Sequence, residues 1–311
     1  MELRHLRSLV MVAQEGNFTR AARRLRIAQP ALSQQIQGLE RELGVRLVSR
    51  TNRTSGLTDA GARLVSRAEE ILLAVQDATR ELAAHAGRQG GTVRVGCALQ
   101  TLTEGRLPGL IATFHGRYPD SRLVLREVHT QQVLDLLRRG EVDLGLIHLG
   151  RVGTTVVGLR AAGPSIALAR LSTEPLVLIV GPEHRLAERT RVDLADLREE
   201  TFVSFRAGAT VRKMLFLAAH RAGFTPRIGF ATANMGTVRA FVSAGLGVAL
   251  VPRSALEVPS PPLRAIALGS PRMERVVTLA RNTARYEAPE VKEIRTLLSA
   301  ALRTGSGPGS R

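Results

Sequence analysis

Residues 18–43 read FTRAARRLRIAQPALSQQIQGLEREL, and this stretch predicts two short helices joined by a tight corner. In the first helix Ala21, Ala22 and Leu25 form an apolar face, and arginines occupy the other face. Pro30 falls in the first turn of the second helix, where proline is tolerated. Apolar residues then recur at spacings of four, three and four, which predicts one buried stripe. That stripe consists of Leu32, Ile36, Leu39 and Leu43.

The opposite face of the second helix carries uncharged side chains that can form hydrogen bonds. They are Gln29, Ser33, Gln34 and Gln37. Such a face beside arginines suits the edges of bases in a DNA major groove. Thr19 is placed to cap the first helix, and Arg20 and Pro30 border the same surface. The pattern predicts a helix-turn-helix whose second helix reads DNA. An ordinary amphipathic helix pair with solvated glutamines is the alternative.

The segment after the second helix predicts a two-stranded wing. Gly44 is a helix stop, and VRLVSRTNRTSGLT (45–58) then alternates apolar and polar residues. Arg50 and Arg53 on this wing are expected to contact phosphates or a minor groove.

Two longer segments carry a family resemblance. AARRLRIAQPALSQQIQGLERELGVRLVSR (21–50), followed by LTDAGARL (57–64), resembles the DNA-binding domain of LysR-type transcriptional regulators. Ala31 stands where that family commonly has serine, and Val48 stands where it commonly has phenylalanine, a change that affects packing only. The resemblance implies a winged helix-turn-helix, a long linker helix and a small-molecule effector domain, in that order.

Charge and composition agree with a nucleic-acid partner. The 311 residues carry a net charge of +17, and residues 1–58 hold ten arginines against four acids. A basic first segment fits a polyanion partner, and the helix-turn-helix pattern makes double-stranded DNA the expected one. The remaining arginines reflect general usage, because the chain has only two lysines. One cysteine, Cys97, fits a reducing cytoplasm, and no segment reaches the ~18 apolar residues of a membrane span.

A long helix should follow the wing, capped by Thr58 and Asp59 and running to about Ala86. Its apolar residues repeat at spacings of four and three, which predicts a heptad seam. The seam consists of Leu64, Ala68, Ile71, Val75, Ala78 and Leu82. Packing on the next domain is one interpretation, but glycines in residues 87–91 indicate a hinge. The resemblance implies that this helix pairs two subunits, as a homodimer or homotetramer.

From residue 92 onward, apolar strands alternate with helices, which predicts parallel α/β sheets covered on both faces. The strand segments are VRVGC (93–97), RLVLREV (122–128), VDLGLIHL (142–149), EPLVLIVG (174–181), TFVSF (201–205), RIGFAT (227–232), GVALVP (247–252) and RVVTLAR (275–281). Two α/β lobes connected twice resemble periplasmic binding proteins of type 2.

The predicted domains follow from this reading. They are the winged helix-turn-helix (1–58), the linker and dimerisation helix (59–87), the effector-binding domain (92–302) and a disordered tail (303–311). Within the effector-binding domain, lobe one comprises 92–168 plus 272–302, and lobe two comprises 169–271.

Ligands of such folds bind beyond the carboxyl ends of strands, where helix N-termini offer free N–H groups. The residues at these places match the positions where the resembling family lines its cleft. They are Leu99, Gln100, Thr101, Thr130, His148, Ser204, Arg206 and Asn234. Arg206 and the helix N-termini favour an organic anion or the carboxylate of an amino acid. Taken singly, Thr130 is also placed as a helix cap and His148 as a polar group at a strand end.

Catalysis finds no support in the sequence. None of the seven histidines has metal-ligand spacing, and Ser204 lacks the G-x-S-x-G elbow. GLGVAL (245–250) precedes a strand instead of opening a helix, so it is no dinucleotide fingerprint. Cys97 has no resolving partner, which favours a buried structural thiol. We expect a regulator without cofactor or metal. The alternative is a cytoplasmic small-molecule-binding protein without a regulatory DNA target.

Overall fold

The computed structural model describes residues 1–51, 54–86, 91–98, 107–159, 162–163, 165–259 and 261–303. The chain divides into two compact units, Met1–Ala86 and Gly87–Arg311.

The first unit is a winged helix-turn-helix followed by one long helix, as predicted. Its elements are α1 (Leu3–Glu15), α2 (Phe18–Leu25), α3 (Gln29–Leu43), β1 (Val48–Thr51), β2 (Thr54–Leu57) and α4 (Asp59–His85). β1 and β2 pair antiparallel and form the wing. The core lies between α1, α2 and α3, where Leu9, Leu32 and Leu39 are fully buried. Each such leucine contributes about 1.5–3 kcal/mol through burial.

Two local predictions in this unit are wrong. Thr19 does not cap α2, because Asn17, in extended conformation, accepts the backbone N–H of Arg20 at 3.0 Å through its side-chain oxygen. Leu43 does not extend the buried stripe of α3, because it is the last helical residue and 40 % of it is exposed. The predicted cap at Thr58 is confirmed, since its hydroxyl accepts the N–H of Gly61 at 3.0 Å. Val48 is buried in the core, as expected.

The second unit is an α/β fold. Its elements are β3 (Thr92–Ala98), α5 (Leu107–Arg117), β4 (Arg122–Val128), α6 (Thr130–Arg138), β5 (Leu144–Val152), β6 (Thr155–Val157), β7 (Ile166–Val180), β8 (Arg191–Val192), β9 (Thr201–Phe205), α7 (Thr210–Arg221), β10 (Arg227–Thr232), α8 (Met235–Ser243), β11 (Ala249–Pro252), β12 (Arg264–Leu268), β13 (Met273–Asn282) and α9 (Pro289–Arg303). Short 3₁₀ turns occupy Leu194–Leu197 and Arg253–Leu256. Strands β6, β8 and β12, which are three, two and five residues long, were not predicted.

The sheets are mixed, so the prediction of parallel sheets is confirmed for only some of the strand pairs. The main path runs β4-β3-β5-β13-β7-β12-β8, with β11 on β7 and β6 on β5. β3 runs parallel to β4 and β5, but β13 runs antiparallel to both β5 and β7. The chain leaves the first half of the unit along β7 and returns along β13. Two neighbouring strands that lead out and back must run in opposite directions.

β7 belongs to both halves of the second unit. Residues 166–175 pair with β13, and residues 176–180 pair with β11 and β12. In the first half, α5 and α9 cover one face of the sheet and α6 covers the other. A separate core surrounds the second half of β7 and includes α7, α8 and the parallel pair β9–β10.

Candidate functional site

The predicted reading face of α3 is open to solvent. Gln29, Gln34 and Gln37 are exposed and Ser33 is half-buried. Gln29 donates through Nε2 to Ser33 Oγ at 3.0 Å, one helical turn away. The side chains of Gln34 and Gln37 have no hydrogen-bond partner among the described residues, so both amides are available to an external partner.

The rest of the first unit holds α3 in place from its opposite face. Leu32, Ile36 and Leu39 are buried beneath it. Glu40 accepts the backbone N–H groups of Leu47 at 2.8 Å and Val48 at 3.1 Å, which ties the end of α3 to the wing. The helix is therefore held from its buried face and at its end, and its glutamine face points outward.

The predicted cationic contacts are distributed unevenly. Arg20 lies 3.6 Å from the Glu15 carboxylate and also donates to the Glu15 carbonyl. Thr19 and Pro30 are exposed on α2 and α3. Arg50 lies in β1 opposite Ser55. Arg53 lies outside the described residues. The structure thus groups the α3 residues on one face, while Arg20 is engaged by Glu15.

The predicted seam of α4 divides into two parts. Leu64 and Ala68 pack against Leu6 and Val10 of α1, so this half stabilises the unit itself. Further along, Ile71 is 39 % exposed and Leu82 is 68 % exposed. Val75 is half-buried and Ala78 is exposed. From Ile71 onward, the apolar stripe of α4 therefore has little cover within the described first unit.

A cavity of about 260 Å³ lies in the second unit, where the two halves meet. Its lining residues are Ala98, His129, Thr130, His148, Phe205, Arg206, Gly208, Ala209, Thr210, Val211, Ala233 and Arg275. Most of them end or follow β3, β4, β9 and β10, or begin α6 and α7. His148 lies within β5, which continues to Val152 beyond the strand end that the sequence predicts, and Arg275 lies near the start of β13. The cleft is at the predicted place, although its lining differs in part from the prediction.

Two threonine hydroxyls in this cavity bond to one carbonyl. Thr130 and Thr210 each donate through Oγ1 to the His148 carbonyl oxygen at 3.1 Å. Thr130 Oγ1 also accepts the His148 N–H at 3.3 Å. Thr130 is therefore not the helix cap that the sequence predicts, since His129 occupies the cap position of α6 and Thr130 is the first helical residue. The two hydroxyls already donate within the protein, so what they offer a ligand is oxygen lone pairs.

Helix α7 packs directly against β5. A Cβ at Gly150 would overlap Met214 Sδ, so any larger residue there would force the Met214 side chain to move. At the far end of α7, Arg221 donates to the Val152 carbonyl at 3.1 Å and to Thr155 Oγ1 at 2.6 Å. With Thr210 bonded to His148 at the near end, α7 joins the second core to the edge of the first along its whole length.

An ion pair and a neutral histidine form the floor of the cleft. Arg275 donates through Nε to Glu174 Oε1 at 2.7 Å and through Nη2 to Ser254 Oγ at 3.2 Å. Burial lowers the pKa of His148 well below its ordinary value, and the positive charge of Arg275 lowers it further. His148 is therefore uncharged at neutral pH. Since Arg275 faces Glu174, this floor contributes little net charge.

The other predicted ligand residues are distributed as follows. Arg206 lines the cleft at an exposed position directly after β9. Ser204 is buried and does not line the cleft, and Asn234 caps α8 by accepting the Thr237 N–H at 3.0 Å. The neighbours Leu99, Gln100 and Thr101 lie outside the described residues. His129, which follows β4 directly before Thr130, also lines the cleft, and sequence reasoning placed it there without counting it as a ligand residue. Sequence reasoning missed Thr210 and Arg275. Thr210 begins a helix after a strand, which is the signal that identified Thr130.

Cys97 is fully buried in β3. Burial, with a smaller contribution from the charge of Glu127, raises the pKa of its thiol to about 12. The thiol is protonated at neutral pH and poorly reactive. Among the described residues, no group of three or more histidine, cysteine and acidic side chains is placed to hold a metal ion. No helix in the described part of the chain is long and apolar enough to cross a membrane.

Comparison with known proteins gives consistent matches along the whole chain. Residues 3–62 match the bacterial regulatory helix-turn-helix proteins of the lysR family, and residues 86–303 match the LysR substrate binding domain. An uncharacterized HTH-type transcriptional regulator of Escherichia coli, YnfL, is 34 % identical over 306 residues, which cover 97 % of this chain and 99 % of that protein.

A regulator named for its response to peroxide is also among the relatives. The hydrogen peroxide-inducible genes activator of Pectobacterium carotovorum is 32 % identical over 83 % of this chain and 82 % of that protein. The structure of a full-length OxyR variant from Pseudomonas aeruginosa superposes with a TM-score of 0.67 at 27 % identity, covering 98 % of this chain and 96 % of that one. Because one family model spans most of the chain and the whole-length relatives share the order of domains, this protein belongs to the LysR-type family of DNA-binding transcriptional regulators with an effector-binding domain.

Proposed function

We propose that a small organic anion bound in the cleft controls this regulator. The observation that carries the proposal is the cavity itself, which is enclosed by residues of both halves of the second unit. A ligand there would contact α6 on one side and α7 on the other. It would therefore bind one arrangement of the two halves more tightly than another, and such differential affinity is what shifts a conformational equilibrium.

The charge preference follows from the uncompensated groups of the lining. No side chain caps α7, whose first residues line the cleft and present N–H groups and a positive dipole end. Arg206 adds a full positive charge at the rim, whereas Arg275 is paired with Glu174. Phe205, Val211 and the lining alanines suit an apolar body. The site thus fits a carboxylate with a small hydrocarbon or aromatic portion.

Ligand-induced stabilisation tests this proposal. Organic acids are added to the full chain and the melting temperature is recorded, since saturation at 100 times Kd stabilises by about 2.7 kcal/mol. Arg206→Gln should lose most of the shift produced by an active acid. Arg264→Gln removes the same charge from an exposed position of β12 outside the cleft and should keep it. If both variants respond like the parent, the anion does not bind at Arg206.

We further propose that α4 pairs two subunits through its exposed half, Ile71, Val75, Ala78 and Leu82. Changing both Ile71 and Leu82 to Glu would place charges without partners in that interface, at a cost of about 3–5 kcal/mol. Oligomers should dissociate on a sizing column, and DNA affinity should fall at least about 100-fold because two half-sites are no longer bound together. Gln76→Glu, exposed on α4 outside the seam, is the matched control.

In this scheme the glutamine face of α3 reads bases in successive half-sites, and the effector changes the spacing of the two reading helices. We assign residues 1–58 to DNA binding, residues 59–87 to the dimerisation helix and residues 92–302 to effector binding. The protein acts in the cytoplasm as a binding protein without catalytic activity. Family membership favours this reading over a small-molecule-binding protein that lacks a DNA target.

A response to hydrogen peroxide, which the name of one relative states, is not part of our proposal. The single cysteine of this chain is buried and its thiol has a raised pKa of about 12. A thiol must be accessible and ionised to react rapidly with peroxide. Hydrogen peroxide should therefore leave DNA binding of the folded protein unchanged, and mass spectrometry should find Cys97 unmodified until the chain is unfolded.

A further inference from the structure

The corner between α2 and α3 contains an arginine in a conformation that usually requires glycine. Arg26 has a φ of 57°, and no other non-glycine residue in the described ranges has a positive φ. Its left-handed backbone lets the N–H groups of Arg26 and Ile27 bond to the Arg23 and Ala22 carbonyls, which closes the end of α2. A side chain makes this conformation unfavourable, because Cβ crowds the following carbonyl.

The two neighbouring helices end with glycine, which adopts the left-handed conformation without strain. α1 ends at Gly16 with a φ of 58° and α3 ends at Gly44 with a φ of 68°, in the same left-handed conformation. All three helices of the motif therefore require the same backbone geometry at their ends, and only α2 ends with a long cationic residue. Strained backbone conformations are concentrated at functional sites, which draws attention to the side chain of Arg26.

The guanidinium of Arg26 makes no ion pair among the described residues, unlike those of Arg20 and Arg24. Glu15 engages Arg20 at 3.6 Å and Arg24 at 2.6 Å. The exposed guanidinium of Arg26 has no hydrogen bond or ion pair with any part of the chain that the structure describes. The corner immediately precedes Gln29, the first residue of the reading helix. When the N-terminal part of a reading helix enters a major groove, the residues just before it lie beside the phosphates that border the groove.

We propose that Arg26 binds a backbone phosphate at the edge of the groove that α3 reads, and that this contact sets the register of α3 on DNA. It adds a sequence-independent contact to the glutamine face. The partner is recognised by its negative charge alone, so the contact strengthens binding to all duplexes alike.

Arg26→Gly provides the test, because glycine accepts the left-handed conformation and removes only the side chain. On a short random-sequence duplex and on the DNA upstream of the protein's own gene, affinity at 0.1 M salt should fall about tenfold on both. The slope of log K against log salt should flatten by about one. The melting temperature of the free protein should be equal or up to about 5 °C higher.

Two further variants exclude simpler explanations. Arg26→Lys keeps the charge and the strained conformation, and should retain most of the affinity. Arg7→Gln removes an exposed arginine from α1 and should change the salt slope little. Parental affinity and an unchanged slope in Arg26→Gly would overturn the proposal. So would a loss confined to the specific duplex, which indicates that Arg26 contacts bases.

Discussion

The reading face of α3 and the wall of the cleft use their polar side chains in opposite ways. On α3, Gln34 and Gln37 are exposed and have no hydrogen-bond partner among the described residues. In the cleft, Thr130 and Thr210 are buried and already bonded to the His148 carbonyl. A change on α3 should therefore affect DNA binding without affecting the fold. A change in the cleft should alter folding stability and ligand response together, because the same groups serve both.

The largest expected effect comes from the buried side of α3. Ile36→Ala removes a fully buried side chain from the core of the first unit and should cost about 2–5 kcal/mol of stability. Chemical denaturation monitored by circular dichroism measures this loss. DNA affinity per folded molecule should be close to parental, since the glutamine face is untouched. A folded variant with strongly reduced affinity would show that the two faces of α3 are not independent.

The exposed side of α3 should give the reverse result. Gln34→Ala should weaken binding to the specific duplex by about 1–3 kcal/mol, with little change on random DNA. Its free energy of unfolding should stay within about 0.5 kcal/mol of the parent, as is usual for exposed positions. Fluorescence anisotropy with both duplexes separates reading from general attraction. Equal losses on both would remove Gln34 from the reading face.

In the cleft, one substitution should change both folding stability and ligand response, whereas on α3 stability and binding should change separately. Thr210→Val keeps the shape of the side chain and removes one of the two hydroxyls on the His148 carbonyl. Stability should fall by about 0.5–1.5 kcal/mol. The melting-temperature shift produced by an active acid should change as well, because α7 is held less firmly against β5. An altered stability with an identical ligand-induced shift would show that the Thr210 hydrogen bond stabilises the fold but does not affect ligand binding.

The smallest effect at neutral pH concerns His148, and it grows with acidification. Its pKa is lowered in the folded protein, so below about pH 6.5 the unfolded chain binds a proton that the folded chain does not. Stability therefore decreases as pH falls, with a limiting slope of about 1.4 kcal/mol per pH unit for one group. His148→Gln should lack this contribution. Denaturation at pH 7 and pH 5.5 should show parent and variant diverging; parallel losses would mean that His148 accepts a proton in the folded state.

The sequence predicted the reading helix in detail because one local pattern determines it. The spacing of the apolar residues, the proline in the first turn and the glycine that ends the helix all lie within residues 29–44. The structure confirms the helix and its buried face apart from Leu43. The observed helix caps lie one or two residues before the predicted ones, at Asn17 instead of Thr19 and at His129 instead of Thr130. Each of these residue types can precede a helix, and the local sequence does not decide between them.

The cleft was only partly predictable because distant segments build it. Arg275 occurs within an apolar strand segment, and its partner Glu174 lies about a hundred residues away, so no spacing rule links them. Asn234 and Ser204 follow or end strands as expected, yet neither lines the cleft. The mixed sheet was missed for the same reason, as strand direction depends on which strands become neighbours.

The position of β13 in the sheet determines when the second unit can fold during synthesis. β13 lies between β5 and β7 in the sheet, yet among the described elements only helix α9 follows it along the chain. During synthesis at about 5–20 residues per second, the first unit can fold as soon as it emerges from the ribosome. The second unit has to wait for residues 273–282, because until then β5 and β7 each lack their common neighbour. A chain interrupted shortly before Met273 would therefore carry a complete DNA-binding motif attached to two unpaired strand edges, and such edges readily pair with other chains.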